Sequence, residues 1–295
     1  MLVSDVVSAC KDELLQDFRE EQNRLEGAVT TTATSLITEF DLRSLQRGVY
    51  AEIGDELIYV WDATAASKTC DPIQRAQRST TAVQHSDGDV VTVAPRFPRY
   101  RIRKMIEREI RSWPTDVFDV GTVEVAVGTA SRAYNLGISG SYYHVLGASV
   151  SPLSGEESNW RELTSLRVDR NADTGDFASG SSITFPGTFD STRTVRVAYS
   201  KPFTLTSLAD SVDVETGLGL DLSMVDVVIA GVCWRMLASR EARRTFTEEQ
   251  HESRTAEQVP PMHTVQAAER AFKRMRDDRL KEEARRLKAL FPYKF

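Results

Sequence analysis

The sequence predicts an α+β protein: a helical bundle of about four helices interrupted by a small β-barrel/hairpin unit and a larger antiparallel β-sandwich. Three observations carry this. Apolar residues recur at helical spacing near both ends of the chain and again over 98–114. Between those stretches, short alternating runs are separated by Gly, Asn, Asp and Ser. The composition, 41% hydrophobic and 27% charged over 295 residues, supplies enough apolar surface for folded cores.

The elements follow in order. Val3, Val7, Cys10, Leu14, Phe18 and Leu25 keep one helical face with no Pro or Gly before Gly27, so residues 1–29 read as one N-terminal helix of the bundle. The run Thr30 to Ser35 favours extended backbone, because β-branched residues lose rotamer freedom in a helix. It opens a small β unit at 30–97. There Tyr50–Ile53 and Leu57–Trp61 flank Gly54-Asp55, and Thr80–His85 and Val90–Ala94 flank Ser86-Asp87-Gly88-Asp89, which predicts two hairpins. Pro98 and Pro114 bracket a bundle helix at 98–114, with Ile102, Met105, Ile106, Ile110 and Trp113 on its apolar face.

Residues 115–205 return to strand-like runs at Val117–Val127, Tyr142–Val150, Leu163–Val168, Ser182–Phe185 and Val195–Tyr199, the spacing of an antiparallel sandwich. Residues 206–262 hold a bundle helix and linker. Ser223 is the expected cap of this helix, and Met224–Leu237 is apolar nearly all round, as a helix buried on most sides would be. Residues 263–295 form the last helix and tail, with Val265, Ala268, Phe272 and Met275 on one face and charge almost everywhere beyond. The model is one interrupted bundle rather than domains in series.

Several function classes are excluded or disfavoured. Met224–Leu237 is cut by Asp226 and Arg235 and is shorter than the roughly 20 residues a membrane helix needs. Met1 to Asp5 carries no basic region of a signal peptide, so synthesis and assembly are expected in the cytoplasm. Cys10, Cys70 and Cys233 are odd in number and widely spaced, which predicts buried free thiols. There is no GxxxxGK[ST], GxSxG or HExxH. Gly217-Leu218-Gly219 reads as a turn, and His85, His144, His251 and His263 lack ligand spacing. No catalytic residue and no cofactor is expected.

Two segments are candidate sites. Asp169, Asn171, Asp173 and Asp176 place oxygens at alternate positions as calcium loops do, but Gly175 and Gly180 stand at the wrong places for that pattern, and a solvated turn accounts for the same residues. Trp160, Tyr142 and Tyr143 suggest sugar stacking, against the commoner use of aromatics in a sandwich core. The C-terminal stretch is basic: Ser223–Phe295 holds 15 Lys and Arg against 11 Asp and Glu, while the rest of the chain holds 22 against 32. Its helix predicts i,i+4 pairs such as Asp277 with Lys281 and Glu282 with Arg286. It ends on Leu287, Leu290, Phe291, Tyr293 and Phe295, an apolar tip after a charged rod. With Arg279, Arg285 and Arg286, these are the expected partner-binding residues.

Gly217-Leu218-Gly219-Leu220-Asp221-Leu222, leading into Val225–Leu237 and then Ser239-Arg240-Glu241-Ala242-Arg243-Arg244, resembles the late helix of head-to-tail adaptor (connector) proteins of long-tailed bacteriophages. The stretches Glu52-Ile53-Gly54-Asp55-Glu56-Leu57 and His85-Ser86-Asp87-Gly88-Asp89, before Pro95-Arg96-Phe97-Pro98, are similar to β segments of phage neck proteins. The resemblance touches about half the chain, and the 115–205 unit has no counterpart in all-helical adaptors. It implies a virion structural protein at the head-tail junction: a dodecameric ring whose C-terminal segment enters the portal protein, which contacts a downstream neck or tail protein and lets double-stranded DNA pass unread. An acidic body suits such a lumen, since tight phosphate binding would hinder passage. The alternative is a tail or baseplate protein whose sandwich binds host-surface polysaccharide, with calcium at Asp169–Asp176.

Overall fold

The structure, a computed structural model, describes residues 1–16, 19–41, 45, 47–138, 140–152, 160–189, 193–205, 208–248 and 262–291, of which 239–248 and 262–265 as backbone only. The expectations for Phe18, Val265, Pro292, Tyr293 and Phe295, and for the side chains of Ser239 to Arg244, therefore lie outside the description. The class is α+β: among the described residues there are five α-helices and several antiparallel sheets, none closed into a barrel. Among the described residues no helix is long and apolar enough to cross a membrane.

The chain forms two compact units that interleave along the sequence. The first comprises Met1–Glu109, Leu208–Ser211 and Val228–Arg274, and the second Ile110–Ser207, Val212–Val227 and Met275–Phe295.

In the first unit α1 (Val3–Leu15) buries Val3, Val6, Val7 and Cys10, and the Asp5 carboxylate accepts a hydrogen bond from the Leu2 N–H at 2.9 Å across its first turn. The expected single helix to residue 29 is not formed. The helix stops at Gln16, whose φ of 49° breaks it, and Gln22–Arg24 are a strand instead. Helical spacing there was coincidental: Leu25 belongs to the sheet core, and strand pairing outweighs the weak intrinsic preference of a polar segment.

Along the chain come β1 (Gln22–Arg24), β2 (Leu36–Ile37), β3 (Val49–Ile53), β4 (Glu56–Val60), β5 (Ala63–Thr64), β6 (Thr69–Cys70), β7 (Ile73–Gln74) and β8 (Val90–Val93). The order β1-β8-β3-β4-β7 makes an open five-stranded sheet, and β2-β6-β5 a smaller one. The Gly54-Asp55 hairpin forms as expected, with Ile53 opposite Glu56 and Gly54 at φ 58°. The second hairpin does not. Residues 80–84 pair with no strand, and β8 lies between β1 and β3. A barrel is ruled out by the open edges at β1 and β7.

Helix α2 (Arg99–Arg111) buries Ile102, Ile106 and Ile110 as its spacing requires, together with Glu109. Cys10, Cys70 and Cys233 are all free and buried, and burial pushes the Cys70 and Cys233 thiols up to about 12.

The second unit holds β9 (Asp119–Val127), β10 (Ala133–Asn135), β11 (His144–Val150), β12 (Arg161–Leu163), β13 (Arg167–Asp169), β14 (Ser182–Thr184) and β15 (Arg193–Lys201). A four-stranded sheet β12-β11-β15-β9 and a three-stranded sheet β10-β14-β13, both antiparallel, share one apolar cluster: Val125, Val150, Val195 and Val197 meet Leu136, Ile183 and Phe185. Gly121 faces Tyr199 in the β9–β15 register, and the tyrosine ring occupies the space a Cβ would need.

Helix α3 (Val214–Leu218) is capped by Asp213. The next cap is Asp221, not the expected Ser223: its Oδ1 accepts from the Ser223 N–H at 2.9 Å and starts a 3₁₀ turn that runs into α4 (Val225–Glu248). Over 224–237 α4 is buried at nine of its fourteen positions, as its all-round apolar character requires.

Helix α5 (Met262–Leu290) corrects another expectation. Met275 is exposed, and the buried stripe is Leu280, Glu283, Ala284 and Leu287, inside the part that reads as wholly charged. Three apolar residues at i, i+4 and i+7 suffice for one buried face.

Within the first unit the helices lock through small residues and a buried charge. Gly231 of α4 lies against the Glu109 carboxylate of α2, which pairs with Arg235 Nε at 2.6 Å. A β-carbon at 231 would overlap that carboxylate. Helix propensity alone would favour Gly231→Ala by about 1 kcal/mol, but overpacking and displacement of a buried ion pair cost about 1–3 kcal/mol or more. Gly231→Ala should therefore lower stability by roughly 2 kcal/mol. An unchanged or raised urea midpoint would show that this contact does not set the helix spacing.

Candidate functional site

The C-terminal segment was the leading candidate, and the structure divides its residues. In the second unit Leu287 is 6% exposed and part of the protein's own packing, whereas Leu290 is 59% exposed. Both line a cavity of about 350 Å³ with Phe118, Phe203, Met224 and Phe291. Arg286 sits at its rim, held by Glu283 at 2.9 Å and Asp221 at 3.1 Å, and these carboxylates raise its pKa. Arg279 pairs with Glu282 of its own helix, at 3.0 Å, and Arg285 is exposed; neither lines the cavity.

The helix pairs run at i,i+3 rather than the expected i,i+4. Arg279 meets Glu282, Lys281 meets Asp278 and Arg286 meets Glu283. Lys288 instead reaches Asp116 at 3.5 Å, and Arg276 reaches the Ser112 hydroxyl at 3.2 Å. Exposed pairs of this kind contribute a few tenths of a kcal/mol each, so orientation of the helix, not stability, is their main effect.

The acidic segment at 169–176 is a turn that caps its own backbone. Asp169 Oδ1 accepts from the Asn171 N–H at 3.0 Å and Asp173 Oδ1 from the Gly175 N–H at 2.8 Å. Among the described residues no three His, Cys, Asp or Glu side chains gather as a metal site, Asp176 included. Tyr142 packs edge-on to Tyr199 with Arg170 over its face at 4.8 Å, and Trp160 lies under Arg196 at 4.3 Å. The Tyr142 and Trp160 faces offered for sugar stacking are thus covered by arginines of the same unit, while Tyr143 lines a cavity with Trp113, Pro202 and Leu205.

Besides Glu109, sequence reasoning missed two further buried carboxylates of the first unit. Glu56, at the start of β4, is 1% exposed and accepts five hydrogen bonds. Arg75 donates Nε to Oε1 and Nη2 to Oε2, each at 2.6 Å, His85 lies 2.9 Å from Oε2, and the N–H groups of Ala76 and Val83 reach it at 3.0 and 3.2 Å. Burial pushes the carboxyl pKa up, but the bonds from Arg75, His85 and the two amides together outweigh it and hold Glu56 at about 2.

Glu52 of β3 is equally buried and has fewer partners. Its Oε1 accepts from the Arg99 N–H at 2.6 Å, capping α2, and Lys11 Nζ lies 3.5 Å from Oε2 but only 2.7 Å from Glu20. Burial dominates and carries its pKa to about 7, with Lys11 and the Arg99 N–H opposing. Beside it opens a cleft of about 530 Å³ lined by Lys11, Glu20, Glu52, Arg99 and Asp210. Arg99 and Arg103 both bridge Asp55 and Asp210, tying the 208–211 segment to the start of α2. The available signal was the string Ala51-Glu52-Ile53-Gly54-Asp55-Glu56-Leu57-Ile58, where carboxylates interrupt strand-forming apolar residues and need buried partners.

Comparison of the sequence with protein-family models and with curated proteins finds no match.

The two carboxylates titrate with opposite effects on stability. Glu52 binds its proton more tightly when folded, because its pKa of about 7 exceeds the ordinary 4.5. Its contribution is full below pH 4.5 and is lost as pH rises through 7. Glu52→Gln should therefore raise the melting temperature at pH 8, by an amount equivalent to about 1–3 kcal/mol, and the gap should close near pH 5; a gap that does not vary with pH would refute this. Glu56 contributes above pH 4.5 and loses that contribution as pH falls through about 2. Glu56→Gln strands Arg75 and should cost about 3–5 kcal/mol at neutral pH, read from the urea midpoint.

Proposed function

We propose that the protein is a virion structural protein, a head-to-tail adaptor ring at the neck of a long-tailed bacteriophage that joins the portal to the neck or tail and lets duplex DNA pass. The observation that carries this reading is the end of α5. Leu290 and Phe291 border an apolar cavity of the second unit, with Arg286 held at the rim and Leu290 largely exposed. An exposed aliphatic side chain beside an open apolar cavity with a charged rim is the arrangement of an interface anchor.

In this reading the first-unit helices form the ring body, and the two antiparallel sheets of the second unit form a sandwich. The chain's acidic excess outside the C-terminal region, 32 acidic against 22 basic residues, keeps a lumen weakly attractive to phosphate. The resemblance of Gly217–Leu237 and Glu52–Leu57 to neck proteins points the same way. No reaction is part of the reading.

The test is electron microscopy of the protein mixed with portal protein, where a ring coaxial with the portal is expected. Leu290→Asp with Phe291→Asp should leave the fold intact, since neither side chain is buried, and should reduce co-sedimentation with portal at least tenfold, the equivalent of about 1.4 kcal/mol. Unchanged co-sedimentation together with a monomeric particle would rule the reading out.

A further inference from the structure

We propose that the open edge of the four-stranded sheet in the second unit pairs with the same edge of a second copy of this chain, joining the two sheets into one. This goes beyond the adaptor reading and does not depend on it. The edge strand is β9, which runs for nine residues from Asp119 to Val127 and pairs with β15 in an unbroken register. It is the last strand in the order β12-β11-β15-β9, so one of its sides meets no strand. Alternate residues of an antiparallel strand turn their N–H and C=O groups away from the neighbour they pair with. Among the described residues, only β15 hydrogen-bonds to the backbone of β9.

Among the described residues no other sheet edge resembles it. The remaining edge strands, β10, β12 and β13 of this unit and β1, β2, β5 and β7 of the first, have two or three residues each. Folded proteins protect an exposed edge by keeping it short, by a bulge, or by Lys or Pro within it. The nine residues of β9 include neither Lys nor Pro, and its ladder to β15 has no irregularity. Its two carboxylates do not guard the open side, because β15 holds both: Asp119 pairs with Lys201 at 3.1 Å and Glu124 with Arg196 at 2.9 Å. Just past the strand the backbone is satisfied again. The Tyr134 hydroxyl accepts from the Gly128 N–H at 3.0 Å and lies 2.7 Å from the Gly128 carbonyl oxygen. The unpaired edge therefore ends with Val127.

The symmetry of the strand selects a second copy as its partner. A two-fold axis through the middle residue, Val123, lays β9 antiparallel to its own copy, and this register alone pairs the whole strand. Val123 then meets Val123 of the second copy, Gly121 meets Val125, and Thr122 meets Glu124. A hydroxyl donor faces a carboxylate, and no like charges oppose. Moving the axis by one residue to Glu124 would set the two carboxylates against each other. The apolar side chains agree with the same axis. Val125 and Val127 are buried in the sandwich core, while Val123 on the same face is only half-buried, and its counterpart completes its cover. A two-fold contact closes on itself and cannot recur around a cyclic ring, so the pair is the form of the protein before any ring assembles.

Analytical ultracentrifugation of the full chain, with no other protein present, tests this. A monomer–dimer equilibrium is expected at concentrations up to about 100 μM. Val123→Lys brings two ammonium groups together on the axis and should weaken the dimer at least tenfold. Val123→Cys should form a disulfide between copies under mild oxidation, since directly opposite residues hold their Cα atoms about 4.5–5.5 Å apart, within disulfide reach. The three native thiols are buried and do not compete. Ala126→Cys, whose counterpart is Val120, should not cross-link. The two cysteine variants read the register even if Val123→Lys fails to fold. The proposal is overturned if the chain stays monomeric throughout, if folded Val123→Lys dimerises as the parent does, or if Ala126→Cys cross-links as well as Val123→Cys.

Discussion

The ionised carboxylate of Glu56 is the constraint on which the first unit's sheet and loops depend. It is fully buried, so its charge must be matched locally, and its five donors come from Arg75, Ala76, Val83 and His85. Arg75 in turn donates to the carbonyls of Thr30 and Val83, so one ion pair ties β4 to residues 75–85 and to the strand-poor stretch near 30. His85 also forms an isolated bridge with Val29, whose side chain is in the sheet core. No regular ladder holds residues 77–84; the carboxylate does that in its place. Removing one partner of such a cluster leaves an uncompensated buried charge, a loss of about 3–5 kcal/mol, which is a large share of a domain's whole stability.

The contrast with Glu52 shows what decides the state of a buried acid. Both side chains are excluded from water, and both lie in the same hairpin, in adjoining strands. Glu56 has a bidentate arginine and three further donors, whereas Glu52 has one backbone N–H and half a share in Lys11, which sits closer to Glu20. Desolvation is common to the two, so the number of charge-assisted donors sets the sign of the shift. Glu109 in α2 follows the same logic, with Arg235 supplied from α4 and the space for its carboxylate supplied by Gly231. The role of these charges is to fix which element meets which, because an apolar replacement of equal volume would pack as well without specifying a partner.

What the sequence discloses and what it conceals follow from the range of the forces involved. The limits of α2 were legible because two prolines act locally on their own backbone, and the Gly54-Asp55 hairpin because a tight turn needs a residue free to take positive φ. The end of α1 was not legible. Gln16 to Arg24 contains no breaker, and only pairing with β8, some 70 residues away in sequence, makes Gln22–Arg24 a strand. The failed second hairpin has the same origin: Ser86–Asp89 has ideal turn chemistry, but β8 finds β1 and β3 as neighbours, and the 80–84 segment is drawn to Glu56 instead. The buried carboxylates were present in the string as acids among strand formers, yet their partners lie 19 to 126 residues distant and leave no local period.

The same reasoning explains the end of α5, where composition misled most. A stretch in which charged residues outnumber apolar ones reads as solvated, but burial of a helix requires only a stripe, and Leu280, Ala284 and Leu287 provide it. Glu283 lies within that stripe and is tolerated because Arg286, one turn on, reaches back to it while also holding Asp221. The result is a helix whose position is set by a narrow apolar seam and a single shared arginine, with Leu290 lying beyond the seam's last contact. Once Leu287 is committed to the interior, Leu290 on the next turn is left largely exposed, and the physical boundary between core and exposed surface falls between Leu287 and Leu290.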